Sequence, residues 1–306
     1  MSRVHDALKK AEQMGYVPSP QPPNTDLTVP HEAQTTGATA AAVATPATAP
    51  YISVGAAPSS PFSITLEQLL DEVEEIPFSP KAGSSLINKA QPTLPPGEEF
   101  RTLRTRLNHI QGLEPIHSLI VTSPSPAEGK SFTATNLALA QSHLTDNYTL
   151  LCDFDFRRPT LHSLFEIPRV PGTTDLLLGE ATLTQALKRI AGTNLFVLPA
   201  GTLVRNPLEL LNLKEVKSLL RELPKVFNWV ILDTPPLLFS ADANLLATLC
   251  DGTLVVVRIG STTYEQLGRA VQSLCENNVL GVVANGAHAG ELYSKYTYYY
   301  SKAEER

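Results

Sequence analysis

Residues 122–131 read Thr-Ser-Pro-Ser-Pro-Ala-Glu-Gly-Lys-Ser, between an apolar run at 119–121 and a helix-like run that begins at Phe132. This pattern predicts a strand, a phosphate-binding loop and a helix start, which together form a nucleotide site. Backbone N–H groups of the loop and the helix N-terminus bind the β- and γ-phosphates. Lys130 adds a positive charge for the transferred phosphoryl group, and Ser131 offers a hydroxyl to Mg²⁺. A bare Gly-Lys-Ser is a weak signal, but the flanking strand and helix favour the nucleotide interpretation over an ordinary turn.

Two apolar runs further along the chain end in carboxylates. Residues 148–152 are followed by Asp153 and Asp155, and residues 229–232 are followed by Asp233. Carboxylates at the C-terminal ends of parallel strands point into the crevice where ligands of open α/β sheets bind. One such group can hold Mg²⁺, usually through water, and another can accept the proton of an attacking hydroxyl. A single aspartate would more often cap a turn, but three after apolar runs favour a catalytic role.

Composition excludes some functional classes. The chain has 306 residues, a formal net charge of −6 and three cysteines. The acidic balance argues against nucleic acid as a partner, since a basic stripe would be expected. An odd number of cysteines without paired spacing fits a reducing compartment. No apolar stretch approaches the roughly 20 residues of a membrane span, and the N-terminus lacks a signal-peptide core. We therefore expect a cytoplasmic protein that reaches a membrane only through a partner.

The chain divides into unequal parts. The first is predicted to be a short amphipathic helix at 1–16, with apolar residues at helical spacing. A linker rich in Pro, Ala and Thr is predicted for 17–96, where large apolar side chains are few. Within it, 63–76 is either a short acidic helix or a docking segment. The predicted catalytic domain covers 97–290, and 291–306 forms a tyrosine-rich tail.

From Gly97 onward, strand-like and helix-like patterns alternate. Strands are predicted at 117–122, 148–152, 194–198, 229–232, 253–258 and 279–284. Helices are predicted at 98–110, 131–144, 207–222, 241–250 and 263–276. Strands linked by helical crossovers predict an α/β fold of the P-loop NTPase class, with a mostly parallel sheet covered by helices on both faces. The pattern leaves the strand order open.

Residues 97–306 resemble the bacterial tyrosine kinases (BY-kinases), the P-loop autokinases of exopolysaccharide and capsule export. The resemblance rests on four motifs in the same order: Glu-x-x-Arg-x-x-Arg, Thr-Ser…Glu-Gly-Lys-Ser, Asp-x-Asp-x-Arg-Arg-Pro and Leu-Asp-Thr-Pro-Pro. The segment Asn-Pro-x-Glu-Leu-Leu at 206–211 is also similar. The first twelve residues resemble the start of stand-alone members that lack a fused membrane domain.

The resemblance implies that the protein uses ATP and Mg²⁺ to phosphorylate its own tyrosines. Asp153 and Asp155 would form the second acidic motif, one as the base and the other near the metal, with the assignment left open. The implied catalytic residues are Lys130, Asp153, Asp155 and Asp233; the implied metal ligands are Ser131, Asp155 and Asp233; and the implied nucleotide contacts are Ser125, Pro126, Ala127, Glu128, Gly129, Lys130, Ser131 and Phe132.

Two positions qualify this assignment. Family loops often read Pro-Gly-Glu-Gly-Lys-Ser, and Ala127 stands where that first glycine would be. If the position requires a positive φ, alanine costs on the order of 1 kcal/mol. Asn285 either contacts the adenine or forms a simple turn with Gly286, because Asn-Gly is a strong turn signal.

Five of the nine tyrosines crowd into eight residues near the C-terminus. A strand is the plain alternative for such a segment, because tyrosine favours strands. The terminal position and the scarcity of Val and Ile favour a tail of phosphate acceptors, each adding a charge of about −1.5 to −2 when modified. The predicted acceptors are Tyr293, Tyr296, Tyr298, Tyr299 and Tyr300.

The family links its Glu-x-x-Arg-x-x-Arg helix to ring assembly, here Glu98, Arg101 and Arg104. The plain alternative is a solvated helix face with an i, i+3 ion pair.

The resemblance also implies activation by the cytoplasmic end of a membrane-embedded polysaccharide co-polymerase, supplied in trans. The competing function is a switch ATPase of the cell-division or partition type, but Ser125 stands where those proteins carry a signature lysine. A non-catalytic adaptor is the third alternative, against which the intact acidic and loop residues argue.

Overall fold

The computed structural model describes residues 60–78, 86–87, 96–274 and 279–287. The predicted helix at 1–16 and the tyrosine cluster at 293–300 lie outside these residues. Among the described residues, every helix is too short or too polar to cross a membrane.

The described helices and strands alternate along most of the chain. The helices are α1 Leu66–Glu72, α2 Gly97–Gln111, α3 Lys130–Ser142, α4 Leu161–Leu164, α5 Thr173–Leu177, α6 Leu183–Ala186, α7 Pro207–Leu211, α8 Lys214–Glu222, α9 Ala241–Ala247 and α10 Tyr264–Ser273. The strands are β1 Glu75–Ile76, β2 Ser118–Thr122, β3 Thr149–Asp153, β4 Lys188–Ile190, β5 Leu195–Leu198, β6 Trp229–Asp233, β7 Gly252–Arg258 and β8 Val279–Asn285.

The strands form one sheet in the order β1-β4-β5-β3-β6-β2-β7-β8. All neighbouring pairs are parallel except β4 and β5. Every residue of β2, β3, β5 and β6 is buried, as expected for strands that are covered on both faces. The predicted α/β class with a mostly parallel sheet is confirmed, and all six predicted strands are present.

Two apolar layers cover the sheet. On one face, α2, α3 and α4 pack over side chains such as Leu119, Leu151 and Ile231. On the other face, α1 and α5–α10 pack over Ile120, Leu150 and their neighbours. Because β2, β3 and β6 run in the same direction, their C-terminal ends meet at one edge, where the predicted site residues lie.

Residues 60–78 and 86–87, here named the arm, belong to the folded core. Within the predicted linker 17–96, the short acidic helix considered for 63–76 is present as α1, whereas the described residues around it pack into the core and do not form a linker. Phe62, Leu69 and Val73 are buried on the α5–α10 face, whereas Leu86 and Ile87 are buried on the α2–α4 face. Helix α1 begins with a capping box between Thr65 and Gln68, and β1 adds to the sheet by pairing with β4. Composition alone suggested a linker because the few apolar residues gain their partners only from the rest of the fold.

The predicted helix at 207–222 is two helices. Strand-like φ and ψ at Leu213 separate α7 from α8, and the Asn212 side chain donates to the Leu208 carbonyl at the end of α7. The sequence pattern also did not predict β1, β4 or the short helices α4, α5 and α6. Each is five residues or shorter, too short for a periodic signal.

Candidate functional site

The loop between β2 and α3 bends through two residues with positive φ. Ala127 has φ +64° and Gly129 has φ +99°. Ala127 therefore adopts the left-handed conformation that was considered from the sequence, at a cost on the order of 1 kcal/mol. A Cβ atom at Gly129 would lie 1.9 Å from the Asn285 side-chain nitrogen. The glycine is required there both by its conformation and by this close approach.

Lys130 begins α3 and faces two carboxylates. Its Nζ donates to Asp155 Oδ2 at 2.7 Å and lies 3.5 Å from Asp233 Oδ1. Burial would by itself lower the pKa of Lys130, but attraction to Asp233 and Asp155 outweighs it and raises the pKa. The ammonium group therefore stays charged and is held between the ends of β3 and β6.

Asp153 and Asp233 occupy paired positions at the ends of β3 and β6. Asp153 accepts from the backbone N–H groups of Asp155, Thr160 and Leu161 at 3.0–3.2 Å. Among the described residues, both carboxylate oxygens of Asp233 are buried without a hydrogen-bond partner.

Burial raises the pKa of both carboxyl groups. For Asp153, burial and repulsion from Asp233 outweigh the backbone hydrogen bonds and raise the pKa to about 8. For Asp233, burial raises the pKa against the attraction of Lys130 and the contribution of the Ser131 hydroxyl. Because the two groups influence each other, their protons belong to the pair.

Among the described residues, the oxygens of Asp233 lack hydrogen bonds and have Lys130 as a more distant ion-pair partner, and they fit a bound cation. Mg²⁺ keeps several waters and is held through one or two carboxylates together with the phosphates of its nucleotide. Asp233, together with Ser131 at the start of α3, could therefore supply the protein ligands of a Mg²⁺ ion bound with its nucleotide.

The loop that follows β3 is fixed by a second ion pair. Arg157 donates through Nε and Nη2 to the two oxygens of Asp242, at 2.8 and 3.2 Å. Asp242 is buried in the first turn of α9, whereas the Arg157 side chain is half exposed. Asp155 Oδ1 also accepts from the Arg158 backbone N–H at 3.0 Å. These contacts hold Asp155 in place beside Lys130.

Asn285 ends β8 and meets the loop after β2. Its Nδ2 donates to the Glu128 carbonyl at 3.0 Å, and its Oδ1 accepts from the Gly286 N–H at 2.8 Å. Gly286 has φ +77°, a conformation that an Asn-Gly turn can use, and the turn itself stays a prediction. An adenine contact by Asn285 stays a prediction, with the residue placed beside the loop.

The predicted assembly residues make contacts within the chain. Arg101 pairs with Glu98 at 2.9 Å, and Arg104 donates to the Ala140 carbonyl of α3 at 2.8 Å. The i, i+3 pair is the plain alternative noted from the sequence. A role of this helix in ring assembly stays a prediction.

Sequence reasoning missed three residues around the site: Asp242, Arg258 and Thr262. Arg258 Nη1 reaches the Ala127 carbonyl at 3.4 Å, and the Thr262 hydroxyl donates to the Glu128 carboxylate. Arg258 and Thr262 lie more than 130 positions after their partners, and no local motif marks these contacts. The position of Thr262 just after a strand end was the one available signal.

Comparisons with known proteins agree with this geometry. No protein-family model matches the chain. "Tyrosine-protein kinase YwqD" of Bacillus subtilis (strain 168) is 36% identical over 220 residues, which cover 71% of this chain and 92% of that protein.

Solved structures also include similar proteins, among them a tyrosine kinase domain. The chimerical protein CapA2B2 superposes with a TM-score of 0.62 at 30% identity, covering 71% of this chain and 95% of the chimera. The kinase domain of the Escherichia coli tyrosine kinase ETK gives a TM-score of 0.61 at 28% identity, covering 72% of this chain and 92% of that domain. With its loop lysine placed between two strand-end carboxylates, this chain belongs to the family of bacterial tyrosine-protein kinases.

Proposed function

We propose that this protein is an ATP- and Mg²⁺-dependent tyrosine autokinase whose acceptors are the tyrosines at 293–300. The single observation that carries the proposal is the position of Lys130, bound to Asp155 and adjacent to Asp233 at the end of the phosphate-binding loop. In the free protein, the Lys130 ammonium group is paired with the carboxylates of Asp155 and Asp233. A bound nucleotide would supply the competing negative charge, together with the transferable γ-phosphoryl group.

Each residue has a distinct role in the proposed transfer. Backbone N–H groups of the loop and of the start of α3 bind the phosphates, and Lys130 offsets the charge that develops on the γ-phosphoryl oxygens. Asp233 and Ser131 hold Mg²⁺, either directly or through water. One of Asp153 and Asp155 accepts the proton of the tyrosine hydroxyl while the tyrosine oxygen bonds to phosphorus and ADP leaves, and the other lies near the metal.

Family membership supports a cellular role in exopolysaccharide or capsule polymerisation and export. We place the protein at the inner face of the membrane, held there by a membrane-embedded co-polymerase that activates it in trans. Transfer between copies fits acceptor tyrosines that follow β8 in the sequence. A head-to-tail ring built on the Glu98–Arg104 helix would raise the local concentration of each tail to about millimolar at its neighbour's site.

The test is mass spectrometry of the full chain after incubation with Mg²⁺ and ATP, with and without the cytoplasmic segment of a candidate activator. The matched variants are Lys130→Met and a chain with the five tail tyrosines changed to Phe. We expect phosphate on residues 293–300 of the wild-type chain alone. A tail that stays unmodified while ATP is hydrolysed would replace the kinase proposal with a switch ATPase.

A further inference from the structure

The phosphate-binding loop contains a buried carboxylate. Glu128 is 3% exposed, although it lies one residue before Gly129 in a loop that binds anions. Its Oε2 accepts from the Ser125 backbone N–H at 2.7 Å, and its Oε1 accepts from the Thr262 hydroxyl. Donors therefore occupy both oxygens of this carboxylate, which is buried within the structure of the loop.

Thr262 is held rigidly enough to act on this carboxylate. It lies between β7 and α10, and its backbone N–H donates to the Arg258 carbonyl at 2.9 Å. Its hydroxyl accepts from the Arg258 backbone N–H at 2.8 Å while it donates to Glu128. The hydroxyl therefore uses its donor and an acceptor position at once, which fixes its orientation.

The contact spans the strained part of the loop. Glu128 joins Ser125 on one side to Thr262 on the other, and Ala127, with φ +64°, lies between Ser125 and Glu128. A left-handed alanine persists only where surrounding contacts determine the backbone. The Thr262–Glu128–Ser125 contacts are such a constraint.

We propose that Thr262 is a positioning residue for nucleotide binding, which acts through Glu128 to hold the loop in the conformation that receives phosphates. This inference rests on the proposed function only in taking Mg²⁺–ATP as the ligand. It assigns Thr262 to the affinity for the nucleotide and not to the transfer of the phosphoryl group.

The experiment compares Thr262→Val with Thr262→Ser in the full chain. Valine keeps the shape but removes the donor, so that Glu128 Oε1 is left buried without a partner. We expect the Kd for Mg²⁺–ATP, measured by calorimetry, and the KM to rise about tenfold, with kcat within about twofold of wild type. Thr262→Ser keeps the hydroxyl and should restore both values. Thr248→Val, which removes an exposed hydroxyl bonded to the Leu245 carbonyl, is the control.

A double-mutant cycle separates this role from a general loss of stability. If Thr262 acts through Glu128, Thr262→Val should add little to the Kd of Glu128→Ala, because the partner is already gone. Thermal unfolding of each variant confirms folding. Additive effects of the two changes, a wild-type Kd in Thr262→Val, or a fall in kcat alone would each overturn the inference. Because the Kd requires no phosphoryl transfer, the outcome is independent of whether the tail tyrosines are the acceptors.

Discussion

The C-terminal ends of β3 and β6 carry aspartates at paired positions, but the two side chains differ in their hydrogen bonding. Asp153 accepts three backbone hydrogen bonds from the loop that follows β3, whereas neither oxygen of Asp233 has such a partner among the described residues. Both side chains are fully buried. A satisfied buried carboxylate contributes to stability, and an unsatisfied one reduces it unless a ligand supplies the missing charge. The pair thus contrasts an aspartate whose hydrogen bonds fix the segment after β3 with one whose oxygens lack hydrogen bonds within the described part of the chain.

The largest expected effect is on the β3 side. Asp153→Ala leaves three buried N–H groups without an acceptor, so the free energy of unfolding should fall by about 3 kcal/mol. Urea unfolding of the free protein, beside Asp233→Ala, measures this. Equal stabilities of the two variants would show that the backbone contacts of Asp153 contribute nothing special.

Asp233→Asn tests the other side of the comparison. Loss of a carboxylate that holds Mg²⁺ should lower autophosphorylation by about 10- to 100-fold and raise the Mg²⁺ concentration needed for half-maximal rate. The stability of the free protein should change little, because the substitution removes a buried charge but also weakens the ion pair with Lys130. The rate is followed by phosphotyrosine mass spectrometry across a Mg²⁺ titration. An unchanged Mg²⁺ requirement would contradict the assignment.

The pH dependence of stability sharpens the difference further. The pKa of Asp153 rises from 3.8 to about 8 on folding, so the folded state holds a proton that the unfolded chain releases. A raised carboxyl pKa means that stability is lost as the pH rises between these two values. Asp153→Asn removes this proton, and its stability relative to wild type should therefore increase from pH 4 to pH 8. Unfolding midpoints in urea at several pH values measure the trend, and a pH-independent difference would refute it.

The smallest expected effect concerns the ion pair that secures the β3 loop. Arg157→Ala leaves the buried Asp242 carboxylate without its counter-ion, and stability should fall by about 1 kcal/mol because the arginine is half exposed. The exposed neighbour Arg158→Ala is the matched control and should leave stability near wild type. Thermal unfolding of the two variants compares them, and equal losses would assign the effect to surface charge alone.

The sequence predicted the central strands well because their signals are local. Buried parallel strands read as short apolar runs, and the runs before Asp153 and Asp233 end within one residue of the observed strands. A left-handed loop position was raised only as a condition, because Ala127 stands where family loops often carry glycine, and the structure has that conformation. The placement of Lys130 between carboxylates follows from the meeting of strand ends at one edge of a parallel sheet.

Contacts set by tertiary structure were not predictable in this way. Thr262 and Glu128 are 134 positions apart, and only the adjacency of β7 and β2 brings them together. The two-residue strand β1 exists because β4 pairs with it, not because of its own propensity. Phe62 and Leu69 lie in a polar, proline-rich region. The prediction of a linker there relied on composition and gave less weight to the spacing of the apolar residues.

The pairing of β1 with β4 also bears on how the protein avoids association through its sheet. An exposed strand edge is a template for pairing with another chain, and short, charged edge strands oppose this. β1 is two residues long, and ion pairs of Glu74 with Lys188 and of Glu75 with Arg189 flank it. A chain that began at Gly97 would lose this cover and present β4 to solvent, together with the apolar surfaces beneath Phe62 and Leu69. The arm therefore forms part of the core and also covers a strand edge that would otherwise favour aggregation.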